Sequence, residues 1–126
     1  VVRPFLPSLL DKELGQRRYA GSILVIGELL QDAPAADKGL LTFYLGEAYR
    51  RRGLNDDDRK AAGYYAQAIA LPDAPAAAWR EHGFALRDAG HPAGARAALL
   101  RYLQDAAQAE DRAFVQRELE KLGGPR

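Results

Sequence analysis

Two stretches of this chain superimpose without a gap. Thr42-Phe43-Tyr44-Leu45-Gly46-Glu47-Ala48-Tyr49-Arg50-Arg51-Arg52-Gly53 lies over Trp79-Arg80-Glu81-His82-Gly83-Phe84-Ala85-Leu86-Arg87-Asp88-Ala89-Gly90. Gly46 then meets Gly83, Ala48 meets Ala85 and Gly53 meets Gly90, each 37 residues on. The string Asp-Ala-Pro-Ala-Ala occurs at residues 32–36 and again at 73–77, an offset of 41. Two kinds of match at similar offsets imply a structural repeat of roughly 34–41 residues. No other feature narrows the fold as much.

The repeated unit reads as helical. Alanine and arginine are abundant and β-branched residues few, which favours helix. Leu41, Tyr44, Leu45, Ala48 and Tyr49 fall on one helical face, and Ala95, Leu99, Tyr102, Leu103 and Ala106 on another. Gly46 and Gly83 sit inside their helices, where each costs up to about 1 kcal/mol relative to alanine. That cost makes sense where a neighbouring helix approaches closely, with Ala61 and Ala95 as the small residues opposite. Gly53 and Gly90 end their helices as left-handed residues. Asp32 and Asp73, ahead of Pro34 and Pro75, signal the starts of the helices that follow. The pattern predicts helices near 8–14, 17–31, 36–52, 58–71, 75–89, 93–108 and 111–122. Pro4 and Pro7 interrupt the first, so it is short or absent. The last starts at Asp111, buries Phe114, Val115, Leu119 and Leu122, and stops at Gly123-Gly124-Pro125, as a helix closing the end of a stack does.

Trp79-x-x-His82-Gly83-x-x-Leu86, followed by Ala95, Leu99 and Tyr102, resembles the tetratricopeptide (TPR) pattern W-x2-L-G-x2-Y…A-x3-F. Leu45, Gly46 and Tyr49 match it in the preceding unit, with Thr42 in place of the Trp. That unit's second helix, with Ala61, Tyr65 and Ala68, runs three residues late, so the 54–60 turn is longer. Gly15, Ala20, Leu24 and Gly27 are in phase in a partial first unit. His82, Leu86 and the missing closing Pro depart from the pattern. The resemblance implies an all-α, right-handed solenoid of about two and a half TPR-like helix pairs plus a C-terminal capping helix. It implies one domain over residues 1–126: a degenerate first unit at 8–35, a second at 36–72, a third at 73–108, and the cap at 110–122. It also implies that Trp79 is largely buried between the last unit and the one before.

The residue types that carry chemistry lack the spacing that chemistry needs. His82 and His91 are nine residues apart, without the H-E-x-x-H arrangement of a zinc hydrolase. His82 reads as a partly buried packing residue and His91 as a turn residue beside Pro92. Ser8, Ser22 and Thr42 lack a nucleophile-elbow context. Asn55-Asp56-Asp57-Asp58 lacks the Gly and Glu of an EF-hand loop and reads as a helix start, its acids on the positive end of the dipole. There is no cysteine and no Gly-rich phosphate loop. These readings make the chain a non-enzyme with no catalytic residue, no metal and no cofactor.

Arg50-Arg51-Arg52 complements the dipole at a helix C-terminus, or it belongs to a binding surface. In the TPR family the first helix of each pair lines a concave groove. Carried over, the groove positions are Phe43, Tyr44, Glu47, Arg50 and Arg51 in one unit and Arg80, Glu81, Phe84, Arg87 and Asp88 in the next. Arginine and aromatic rings favour interfaces, and the surface suits a protein or peptide segment with acidic groups and some apolar contact. Glu47 and Glu81 stand where carboxylate-clamping members carry Asn, so that specificity is not carried over.

Eighteen basic and 17 acidic residues leave a net charge of +1, against a dedicated nucleic-acid binder. The longest aliphatic run, residues 23–26, is too short to insert in a membrane. The resemblance implies a non-catalytic protein- or peptide-binding scaffold. Residues 41–122 are also similar to repeats appended after the protease domain of bacterial envelope metallopeptidases, which gives an alternative: an accessory module of a larger enzyme in the periplasm or envelope. Another alternative is an adaptor that self-associates. The compartment stays open, the cytoplasm included. The chain contains no Met and starts at Val1, and it reads as a fragment or a processed product.

Overall fold

The computed structural model describes residues 6–123. Over that span the chain is all-helical, with seven α-helices and no strand. They are α1 (Leu6–Gly15), α2 (Tyr19–Asp32), α3 (Ala35–Arg52), α4 (Asp57–Ile69), α5 (Ala76–Asp88), α6 (Pro92–Asp105) and α7 (Arg112–Lys121). All seven expected helices are present, with ends shifted by up to three residues. Pro4 and the Gly124-Pro125 stop lie outside the described residues. No described helix is long and apolar enough to cross a membrane.

Local chemistry sets most boundaries. Gly53 takes φ +64° and donates its N–H to the Tyr49 carbonyl, closing α3. Gly90 takes φ +82°, and the His91 N–H reaches back to the Leu86 carbonyl, which satisfies an orphan acceptor at the end of α5. The Asp32 and Asp73 signals need correction. The following helices do start just after Pro34 and Pro75, but Asp32 is the last residue of α2. Pro34 itself holds the N-cap position of α3, with no side-chain cap bond. Its carbonyl instead accepts from the Asp37 N–H at 2.9 Å, so one donor of the first turn is met by backbone.

The helices form two compact units, one reaching to Pro75 and the other beginning at Ala76. In the first unit α3 is the central element. Residues 41–48 are buried without a break, more than two turns of helix. The apolar face expected of α3 is buried, Tyr49 only in part, and over residues 41–48 the other side is buried as well, because α1, α2 and α4 all contact the helix. Two glycines admit the close approaches. A Cβ on Gly46 would lie 2.8 Å from Tyr65 Cε1 and 3.4 Å from the Ala61 carbonyl oxygen. A Cβ on Gly39 would collide with the Pro72 carbonyl oxygen and lie 2.8 Å from the Ala74 nitrogen.

In the second unit α5 and α6 form the corresponding pair. A Cβ on Gly83 would lie 2.8 Å from Leu99 Cγ and 3.3 Å from the Ala95 carbonyl oxygen. The crossing thus repeats the one at Gly46, Ala95 standing for Ala61. Leu99, Tyr102 and Val115 form the buried core, with Trp79, Phe84, Leu103, Leu119 and Leu122 partly buried around it. Two expectations fail in this unit. Trp79 is only half-buried, since its side of α5 opens on a shallow concavity of about 510 Å³ shared with His82, Leu86, Gly94 and Arg101. Phe114 is 47% exposed rather than buried, because Val115 takes the inward position and Phe114 meets only the edge of the Phe84 ring.

Candidate functional site

The groove positions on α3 are spent inside the first unit. Phe43, Tyr44 and Glu47 are 5%, 7% and 3% exposed. Phe43 lies edge-on to Tyr44 at 5.1 Å and against Tyr65 at 5.9 Å. The Tyr44 hydroxyl donates to Asp11 Oδ1 of α1 at 2.8 Å, and burial together with that carboxylate pushes its pKa well above the tyrosine range. Glu47 accepts from Arg50 at 3.0 Å, from Arg51 at 3.2 Å and from the Tyr65 hydroxyl at 2.5 Å. Burial alone would raise the Glu47 carboxyl, but Arg50, the Tyr65 hydroxyl and Arg51 outweigh it and hold the group ionised below its ordinary range. A ligand cannot reach Phe43, Tyr44 or Glu47 in this arrangement. Only Arg50 and Arg51 remain open, with side chains 42% and 34% exposed.

The third arginine of the run has a different task. Arg52 forks onto Asp57 at 2.8 and 2.9 Å, and the Leu54 N–H donates to the same carboxylate. This clasp ties the end of α3 to the start of α4 across the 53–56 turn. Arg52 first of all, then the Leu54 N–H, pulls the Asp57 pKa down to about 2. Asp57 does sit in the first turn of α4, but the N-cap residue Asp56 makes no side-chain cap bond. The acidic string thus locks a turn rather than capping a helix.

The α5 positions form a surface that is occupied. Arg80 donates to Glu81 at 2.8 Å and to Asp111 at 2.9 Å. Arg87 donates to Asp88 at 3.0 Å and to Glu118 at 2.8 Å. Between them Phe84 meets Phe114 edge-to-face at 6.1 Å, with the Arg87 guanidinium 4.7 Å over its ring. Arg80 lies 5.5 Å from the centre of the Tyr102 ring, and the Tyr102 hydroxyl donates to Asp111. Burial would raise Asp111; Tyr102 and Arg80 reverse that and keep it ionised below its usual range. Lys121 first, then Arg87, lowers Glu118. Residues 80, 84 and 87 of α5 thus hold Asp111, the N-cap residue of α7, and Phe114 and Glu118 within it. Both ion pairs span 31 residues, so the two helices run in the same direction. The sequence reading missed this arrangement, although the seven-residue spacing of both the arginines and the acids was there to be read.

The two histidines differ in exposure. His82 is half-buried against the Trp79 ring, and burial lowers its pKa. His91 is exposed and precedes Pro92, the first residue of α6. Among the described residues no three His, Cys, Asp or Glu side chains gather where a metal ion could be held. Compared with known proteins, the chain matches no family model and no curated sequence.

Proposed function

We propose that the chain is a non-catalytic, tetratricopeptide-type module that binds a protein or peptide segment, with the α5 face as its recognition surface. The ligand class is a helix carrying a carboxylate, an aromatic ring and a second carboxylate at successive turns. One observation carries this reading: α7 already lays Asp111, Phe114 and Glu118 on Arg80, Phe84 and Arg87. The chemistry is selective. Guanidinium groups pair with carboxylates by directed bonds, and the rings supply contact area at low entropy cost. The parallel course of α5 and α7 supports the stacked-pair reading, since first helices of successive pairs in such a solenoid run the same way. So does the repetition of the glycine crossing at Gly46 and Gly83.

The test must contend with α7, which competes at an effective concentration on the order of millimolar. A full-length Glu118→Lys variant sets like charges against Arg87 and loosens α7. Titrating it with a peptide of residues 109–123 should perturb backbone resonances at Arg80, Phe84 and Arg87, and binding should weaken with salt. Perturbations confined to α4 and α6, or binding that survives Arg80→Ala unchanged, would overturn the reading.

A further inference from the structure

Outside that site, the least explained surface is on α2. Leu24, Val25 and Leu29 are 64%, 53% and 43% exposed on one side of a 14-residue helix. Beside them a cleft of about 330 Å³ opens between α1 and α2, lined by Leu10, Gly21, Val25 and Ile26, with Glu13 and Arg18 among its polar borders. Side chains so grouped over a cleft mark a surface built to be covered.

The charges on α2 say what covers it. A helix favours acids at its N-terminus and bases at its C-terminus. α2 has neither an acid in its first turn nor a base in its last. It carries the opposite arrangement: Arg17 and Arg18 lead into it, and Glu28 and Asp32 stand at its end. Neither Arg18 nor Asp32 forms a side-chain ion pair among the described residues. Left alone, both ends are mildly unfavourable. An antiparallel partner with the same sequence reverses this, because it brings each arginine end against an acidic end.

The register follows from the same residues. Pairing two copies of α2 antiparallel about Val25 sets Arg18 opposite Asp32 and Gly21 opposite Leu29, twice by symmetry. A Cβ on Gly21 would touch nothing within 4 Å, so this glycine leaves a notch beside the cleft that a leucine from the other copy fills. The pairing centre falls at the middle of the helix, so Val25 meets Val25 and Leu29 lies in the seam, with Leu24 at its edge. We infer that α2 is a self-docking surface, through which two copies of this chain associate antiparallel about Val25. It involves neither α5 nor α7 and stands apart from the ligand reading above.

Sedimentation equilibrium of the full chain tests it. The wild-type chain should dimerise reversibly, and Val25→Asp, which sets two carboxylates face to face, should weaken the dimer at least about tenfold, while Leu100→Asp, at an exposed leucine on α6, should leave it unchanged. Asp32→Arg alone should weaken association, and the Arg18→Asp/Asp32→Arg double variant should restore it, which a general loss of solubility or fold would not do. These positions are exposed, so helical content by circular dichroism should stay at the wild-type value. A chain that stays monomeric to about millimolar concentration overturns the inference and leaves the stripe to a different protein. A dimer that ignores Val25→Asp, or that the charge swap fails to restore, overturns it as well.

Discussion

The α3–α4 pair and the α5–α6 pair are built on one plan and put to different uses. Each crosses at a glycine against the second helix, Gly46 on Tyr65 and Gly83 on Leu99. Each joins an arginine, a carboxylate and a tyrosine hydroxyl: Arg50, Glu47 and Tyr65 in the first, Arg80, Asp111 and Tyr102 in the second. In the first pair the carboxylate belongs to α3 itself and is buried. In the second it arrives from α7, a separate short helix. The lesson is that a first helix is open to ligands only as far as its neighbours leave it open. α1 and α2 enclose α3, whereas α5 meets a helix whose one fully buried side chain is Val115.

The comparison breaks first at the two carboxylates. Glu47→Ala removes the acceptor of a buried cluster, and the Tyr65 hydroxyl, which still accepts from Arg50, loses the carboxylate it donates to. Charge-linked hydrogen bonds contribute about 1.5–3 kcal/mol, and losing one partner of a buried pair costs more. Arg50 is 42% exposed and recovers water, so a loss of about 2–3 kcal/mol is expected in urea unfolding. Glu118→Ala, whose partners Arg87 and Lys121 both reach solvent, should cost much less. Equal losses at the two sites would end the distinction between a buried pillar and a removable contact.

A smaller effect is expected at the glycine crossing. Gly83→Leu forces a side chain against Leu99 and the Ala95 carbonyl, an overpacking of about 1–3 kcal/mol. Arg96→Leu on α6 should stay within about 0.5 kcal/mol. If thermal midpoints of the two variants fall together, the crossing is not at Gly83.

The turns of the two pairs differ in their response to acid. Asp57, at about 2 in the folded chain against an ordinary 3.8, stabilises the first pair fully above pH 4. That contribution fades as the pH falls towards 2, because the unfolded chain takes up the proton first. Asp57→Asn should therefore be less stable than wild type at neutral pH, with the gap closing below pH 4. A gap that persists to pH 2 would mean that the clasp with Arg52 is not the source.

The smallest effect is expected from removing one arginine in each pair. Arg51→Ala with Arg87→Ala should shift the thermal midpoint little, since each guanidinium is about one-third exposed and such pairs contribute about 0–1 kcal/mol. The same double variant should lower affinity for the acidic peptide through Arg87 alone, so Arg51→Ala by itself should leave binding unchanged. A binding loss from Arg51→Ala would return α3 to the recognition surface.

Residue order alone determined the helices and their ends. Helix formation depends on neighbours within a turn or two, and alanine content, apolar spacing and left-handed glycines such as Gly53 and Gly90 are visible at that range. The close crossings at Gly46 and Gly83 were legible for a related reason: a glycine inside a helix is a local cost that only a neighbouring helix repays. Tertiary structure alone decided which faces stayed open and which charges met. Phe43, Tyr44 and Glu47 were expected to line a groove, but α1, α2 and α4 close over their helix. Arg80 and Arg87 find their acids 31 residues away on α7. Burial and ion pairing are properties of what stands opposite a side chain, and in a chain of helices that neighbour is set by how elements stack, not by the residues next to it in sequence.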